Sequence, residues 1–194
     1  LINCILLDKK EEELDSISTL IFDLASTNSF YSKLYANLFT NLLNNFEFLR
    51  SCFLNTFNNY KDIFSSFRTA DPSIDYNLYC MVNKENDKRK AISKFFVNLA
   101  INKIIEDKEI LNFMDLFLSK IDELINIDNN LDQVNEIVEN IFILYQKDFI
   151  DVIEDKSHLE NIISKIKFYA NAKSKDYKSL SAKSIFKFMD MIEK

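Results

Sequence analysis

Residues 107–126 read DKEILNFMDLFLSKIDELIN, and this stretch decides the fold. Ile110, Met114, Phe117, Ile121 and Leu124 recur at steps of four and three, which places them on one face of a helix. Asp107 precedes the apolar series and predicts an N-cap, since its carboxylate can accept from free N–H groups. The pattern extends outward. Downstream, Leu131, Val134, Val138, Ile141 and Tyr145 repeat the spacing; upstream, Phe46, Leu49, Phe53, Tyr60, Phe64 and Phe67 do the same. Alternation with a period of two never persists, so the chain is expected to be all-α.

Polar breaks predict helices near 9–27, 30–45, 46–68, 76–83, 88–105, 107–126, 130–146, 148–154, 157–172 and 181–193. With no Gly in 194 residues, helix ends fall to Asn, the next-best residue for the left-handed position. Asn28, Asn45, Asn129 and Asn171 are the candidates, and Ser29, Asp107 and Ser181 are the candidate N-caps. Thr69–Ser73, with the single Pro72, and Asn171–Ser179 read as loops. So many helices of moderate length exceed a four-helix bundle. Stacked antiparallel pairs, as in a HEAT-like α-solenoid of about four to five pairs, bury each pair's apolar face on the next. An irregular helical bundle is the alternative. The length fits one domain over residues 1–194, and the missing initiator Met points to a piece of a longer protein.

Composition excludes much chemistry. The chain is 47% hydrophobic and 28% charged, with a formal charge of −6, so it is neither disordered nor a disulfide scaffold. A P-loop, a dinucleotide-binding turn and a nucleophile elbow all need glycines for close backbone approach or positive φ, and none can be written here. The excess of Lys over Arg and the wealth of Asn, Ile and Phe follow an AT-rich coding sequence, which accounts for part of the missing Gly. Cys4, Cys52 and Cys80 are odd in number and unpaired in spacing, so reduced thiols are expected and a zinc site is not. Leu1–Leu7 is too short for a signal sequence or a span, and a soluble, cytoplasmic chain with no membrane partner is expected.

No catalytic constellation is apparent. His158 is the one histidine, and Asp155 three residues before it makes the pair a solvated helix start. Glu11–Glu13 fall in a first helical turn, where negative charge suits the macrodipole. No enzyme, metal, cofactor or small-molecule substrate is expected. Charge is uneven, however: residues 156–194 hold nine Lys against four acids, a balance of +5 that leaves −11 for residues 1–155. A second basic cluster, Lys84, Lys88, Arg89, Lys90 and Lys94, is a candidate contact for RNA phosphates, set against a plain solvated face.

Five segments carry a resemblance. Phe22-x-x-Ala25 with Tyr31-Ser32-x-x-Tyr35-Ala36-Asn37-Leu38 resembles the second-hairpin signature of the middle domain of translation initiation factor 4G. Leu49-Arg50-x-x-Phe53-Leu54-Asn55, Lys94-Phe95-x-x-x-Leu99-x-x-x-Lys103 and Lys147-Asp148-Phe149 are similar to later segments of that family. Ser181-x-Lys183-x-x-Phe186-x-x-x-Asp190 resembles its closing segment. Ala91, Val97 and Gln146 stand where the family has glycines.

The resemblance implies a HEAT-like scaffold that grips both lobes of a DEAD-box RNA helicase of the initiation factor 4A type. Asn37, Asn55, Asp148, Lys165, Lys183, Phe186 and Asp190 are the implied partner contacts. Tyr35, Phe95 and Phe186 lie on apolar periods and read first as core, and Asp148 as a helix cap. Related middle domains serve RNA processing and nonsense-mediated decay, and a helical interaction module without a helicase partner is the rival from another class.

Overall fold

A computed structural model describes residues 11–46 and 49–193, with the side chains of residues 11–15, 17 and 26 outside the description. The expectations placed on Leu1–Leu7, Cys4, the helix start at residue 9 and the Glu11–Glu13 carboxylates fall outside it. The chain is all-α: among the described residues no strand forms. The α-helices are α1 (Glu11–Thr27), α2 (Ser32–Asn45), α3 (Leu49–Lys61), α4 (Tyr76–Ile101), α5 (Asp107–Leu124), α6 (Leu131–Leu144), α7 (Lys147–Ile150), α8 (Lys156–Ala170) and α9 (Ala182–Ile192). Short 3-10 turns occupy Ser29–Tyr31, Asp62–Phe64 and Ser174–Asp176.

Helices pack on first, second and third neighbours in the sequence, and the most extensive contact is α8 on α9. α2 lies on α4, α4 on α6 and α6 on α9, while α1 lies on α3 and α5 on α8. Cross-contacts of α1 with α4, α5 with α6 and α8 with α9 join the two series. Phenylalanine fills the seam. Phe22 meets Phe39 and Phe95 edge-on at 5.3 Å each, Phe57 meets Phe96 at 4.7 Å, and Phe64 reaches Phe113 at 4.8 Å and Phe117 at 5.4 Å. Rings of this size hold helices together without the close backbone approach that small residues permit.

Several helix boundaries differ from expectation: α7 stops at Ile150, short of the expected 154, and two larger departures have a visible cause. The segments 76–83 and 88–105 form one helix, because the polar run at 84–90 is accommodated inside it. Asn86 and Arg89 turn into the core, where Arg89 Nη1 donates to Asn86 Oδ1 at 2.6 Å. The segment expected over 46–68 stops as an α-helix at Lys61 and passes into a 3-10 turn. Arg89 holds the chain beyond that end, Nε donating to the Ile63 carbonyl (3.1 Å) and Nη2 to that of Ser66 (2.8 Å). Phe67 is buried under the same guanidinium, 4.4 Å away.

Helix ends also depart from the Asn expectation. Asn129 is left-handed at φ 65°, but Asn28 and Asn171 are not, and Asn45 is the last residue of α2. Lys103 takes the left-handed position instead (φ 58°), with Ile104 N–H donating to the Leu99 carbonyl and Lys103 N–H to that of Ala100, both at 2.9 Å. This is the Schellman closure, and the nearby Asp107 carboxylate holds the Lys103 ammonium at 2.9 Å. Ser181 caps α9 as expected, accepting from Ser184 N–H at 3.0 Å. Ser29 and Asp107 cap nothing. Glu106 occupies the cap position of α5, leaving Asp107 for Lys103 and the Glu154 N–H (3.3 Å).

Candidate functional site

Along α4, Ile92, Phe95, Phe96 and Leu99 are buried in the core, while Lys84 and Asp87 are exposed, Lys88, Lys90 and Lys94 are half-buried, and Ala91 is buried among them. There α4 faces the end of α1 and the last turn of α6. Between them lies a groove of about 930 Å³, lined by Thr27 and Ser29, by Lys84, Asp87, Lys88, Lys90, Ala91 and Lys94 of α4, and by Phe142, Ile143 and Gln146. Four lysines line it against one aspartate, and its apolar surface comes from Ala91, Phe142 and Ile143.

The lysines differ in how far they are neutralised. Lys84 and Lys94 have no ion-pair partner among the described residues. Lys88 Nζ lies 3.8 Å from Asp23 and over the Tyr60 ring at 5.1 Å. Lys90 Nζ sits 3.2 Å from Asp87 and 3.5 Å from Glu136. Burial works against the Lys90 charge, but the Glu136 and Asp87 carboxylates outweigh it, so its pKa lies above the ordinary lysine value. Burial and the Asp23 carboxylate, which accepts its hydroxyl proton, raise the Tyr60 pKa well above its ordinary value. The groove can donate hydrogen bonds and positive charge to carboxylates or phosphates while presenting apolar surface between them.

Arg89 does not belong to this surface. It is 2% exposed, and its guanidinium is spent on Asn86, Ile63 and Ser66, so it cannot touch a phosphate. Burial lowers its pKa from the usual arginine value, with Glu136 and Glu85 opposing that shift. A charged residue every third or fourth position looks alike in sequence whichever way it turns; here the helix angle of residue 89 is that of the core. The lining supplied by α6 was missed. Its signal was available, because Phe142 and Ile143 are apolar residues off the period of Val134, Val138, Ile141 and Tyr145.

The residues implied by resemblance are scattered. Asn37 on α2 accepts from Asn102 Nδ2 at 3.0 Å, so it serves α2–α4 packing while remaining exposed. Asn55 on α3 is exposed, as is Asp148 on α7, and Asp148 caps no helix because Gln146 holds that position without a side-chain bond. Lys165 lies 3.7 Å from Asp122. On α9, Lys183 pairs with Glu139 at 3.0 Å, Asp190 is exposed, and Phe186 is 65% exposed rather than core. Phe95 is buried and Tyr35 packs at the core edge, as expected. Lys187 Nζ also reaches Glu139, at 2.9 Å, and covers the Phe142 ring at 4.1 Å. Burial raises and the two ammonium groups lower the Glu139 pKa, with a net shift below the ordinary glutamate value.

His158 is half of a structural pair. Its backbone N–H is capped by Asp155 Oδ1 at 3.0 Å, and its Nε2 meets Asp115 of α5. Among the described residues no group of three or more His, Cys, Asp or Glu could hold a metal ion, and no helix is long and apolar enough to cross a membrane. No protein-family model, curated protein or solved structure matches the chain.

Proposed function

We propose that the chain is a scaffold of the initiation factor 4G middle-domain kind, a HEAT-like stack of helical hairpins that holds a DEAD-box RNA helicase. The observation that carries this reading is the run of helix contacts: α2, α4, α6 and α9 follow one another in contact, and α1 lies on α3 and α5 on α8. The pairs α5–α6 and α8–α9 pack as hairpins, whereas α3 packs on α1 rather than on α4, so the stack is regular toward its C-terminal end. The resembling segments support it by how they divide. Phe22, Ala25, Ala36, Phe53, Phe95, Leu99 and Phe149 are buried, whereas Asn55, Asp148, Lys183, Phe186 and Asp190 face outward.

A platform touching both lobes of a helicase would act by binding their closed arrangement more tightly than the open one. Moving an equilibrium from mostly open to mostly closed takes about 5 kcal/mol of differential affinity. The scaffold would raise ATP turnover while performing none of the chemistry. On this reading α9 meets one lobe through Phe186, and α2 and α3 meet the other.

The test is co-elution of the chain with a DEAD-box helicase, together with the helicase's RNA-dependent ATPase rate. Co-elution and stimulation, both weakened by Phe186→Ala, are expected. Lys183 is best changed to Gln, because a carboxylate there would face Glu139 and disturb α9 itself. The absence of both co-elution and stimulation would reject the proposal.

A further inference from the structure

We infer that the lysine-lined groove between α4 and α6 is a docking site for an acidic amphipathic helix of another protein. Complementarity of charge is the first argument. The chain carries a formal charge of −6, yet this groove concentrates four lysines against Asp87, and that carboxylate is already engaged by Lys90 at 3.2 Å. Lys84 and Lys94 are free to meet incoming carboxylates.

Spacing is the second. Lys84, Lys88, Ala91 and Lys94 follow one another at four, three and three residues along a single helix, a rise of about 15 Å. A helix laid along α4 and carrying carboxylates at the same period meets this row over two to three turns. Ala91 lies buried between the lysines and adds no bulk beyond Cβ to the floor, and Ile143, half-buried beside the Phe142 ring that Lys187 covers, receives the partner's apolar residues.

The floor also discriminates against a nucleic-acid strand. Strand binding combines basic residues with aromatic faces on which bases stack. Among the described residues the one aromatic ring lining this groove is Phe142, and Lys187 Nζ lies over it at 4.1 Å, held in turn by Glu139. Aliphatic surface between ammonium groups suits leucine and glutamate better than base and phosphate.

Fluorescence anisotropy tests this with the whole chain and three probes at fixed salt. The first is a labelled acidic peptide of about 15 residues, long enough to populate a helix, with leucines on one face and glutamates flanking them. The second has the same charge with every leucine changed to serine. The third is an oligouridylate of about twelve nucleotides. The leucine peptide should bind, and the serine peptide should bind at least about tenfold more weakly. Lys84→Glu/Lys94→Glu and the milder Lys84→Gln/Lys94→Gln should each weaken the leucine peptide by about tenfold or more, with the helical circular dichroism unchanged. The inference is overturned if the leucine peptide fails to bind, if serine peptide or RNA binds as tightly, or if the folded variants bind like the parent.

Discussion

Ser93 Oγ donates to Asn140 Oδ1 at 2.8 Å, with both side chains wholly excluded from solvent, so the two helices that wall the lysine groove are joined by a polar bond inside the core. Asn140 Nδ2 also donates to the Glu136 carbonyl at 2.8 Å, which fixes the amide's orientation. Ser93→Ala should leave the Asn140 oxygen without a partner and cost about 1–3 kcal/mol. Ser93→Ala/Asn140→Leu should recover part of that loss, since neither polar group is then stranded. Urea denaturation of the three chains measures the difference.

Arg89→Met should destabilise the chain by about 3 kcal/mol, because three charge-assisted bonds go and two backbone carbonyls lose their donor. Arg89→Lys should not rescue it, since an ammonium cannot reproduce the fork that spans Ile63, Ser66 and Asn86. An arginine on a solvated face would be nearly neutral to both changes. Denaturation midpoints decide between the two.

Phe186 and Phe188 differ by two positions and should differ widely in effect. Phe188 is fully buried and stacks on Tyr169 at 5.1 Å, so Phe188→Ala should cost about 3–5 kcal/mol. Phe186→Ala should change stability by no more than about 0.5 kcal/mol. Thermal unfolding of the pair checks this, and it also qualifies Phe186→Ala as a clean probe of the proposed helicase association.

Acid should loosen the α6–α9 junction. The folded-state pKa of Glu139 lies below its unfolded value because Lys183 and Lys187 outweigh the burial of its carboxyl. Its contribution is therefore full above the ordinary glutamate pKa and is lost as pH falls through the lower, folded value. Glu139→Gln should reduce stability at neutral pH and flatten its fall on acidification relative to the parent. Urea midpoints measured from neutral pH down to pH about 3 test the sign.

Much of the helical layout was legible before any coordinates, for a local reason. The apolar series of α5, from Ile110 to Ile121, is buried as its spacing demands, and Ser181 caps α9 because a serine hydroxyl reaches the Ser184 N–H from its own turn. Errors fell where a distant group intervened. The apolar period runs on through Phe64 and Phe67, but there it serves a chain that has left α3 at Lys61 and is held by Arg89, 26 residues beyond Ile63, through the Ile63 and Ser66 carbonyls. Lys103 was missed as a left-handed residue because its conformation is held by the closing bonds of α4 and by Asp107 rather than by any preference of lysine.

For the candidate site, the residue types on α4 were readable but their surroundings were not. Lys84, Lys88, Lys90 and Lys94 announce a basic run in any helix, whereas only packing reveals that α6 supplies Phe142 and Ile143 beside them and that Lys187 covers the ring.

Sequence alone determined that this chain is helical, where most of its helices lie and which faces are apolar, because periodicity, capping groups and the absence of glycine act within a few residues. Tertiary structure decided which charges are surface and which are structural, which helices meet, and that a basic row acquires an apolar floor. Those outcomes depend on groups tens of residues apart arriving at one place, where burial and the competition for hydrogen-bond partners assign each side chain its role.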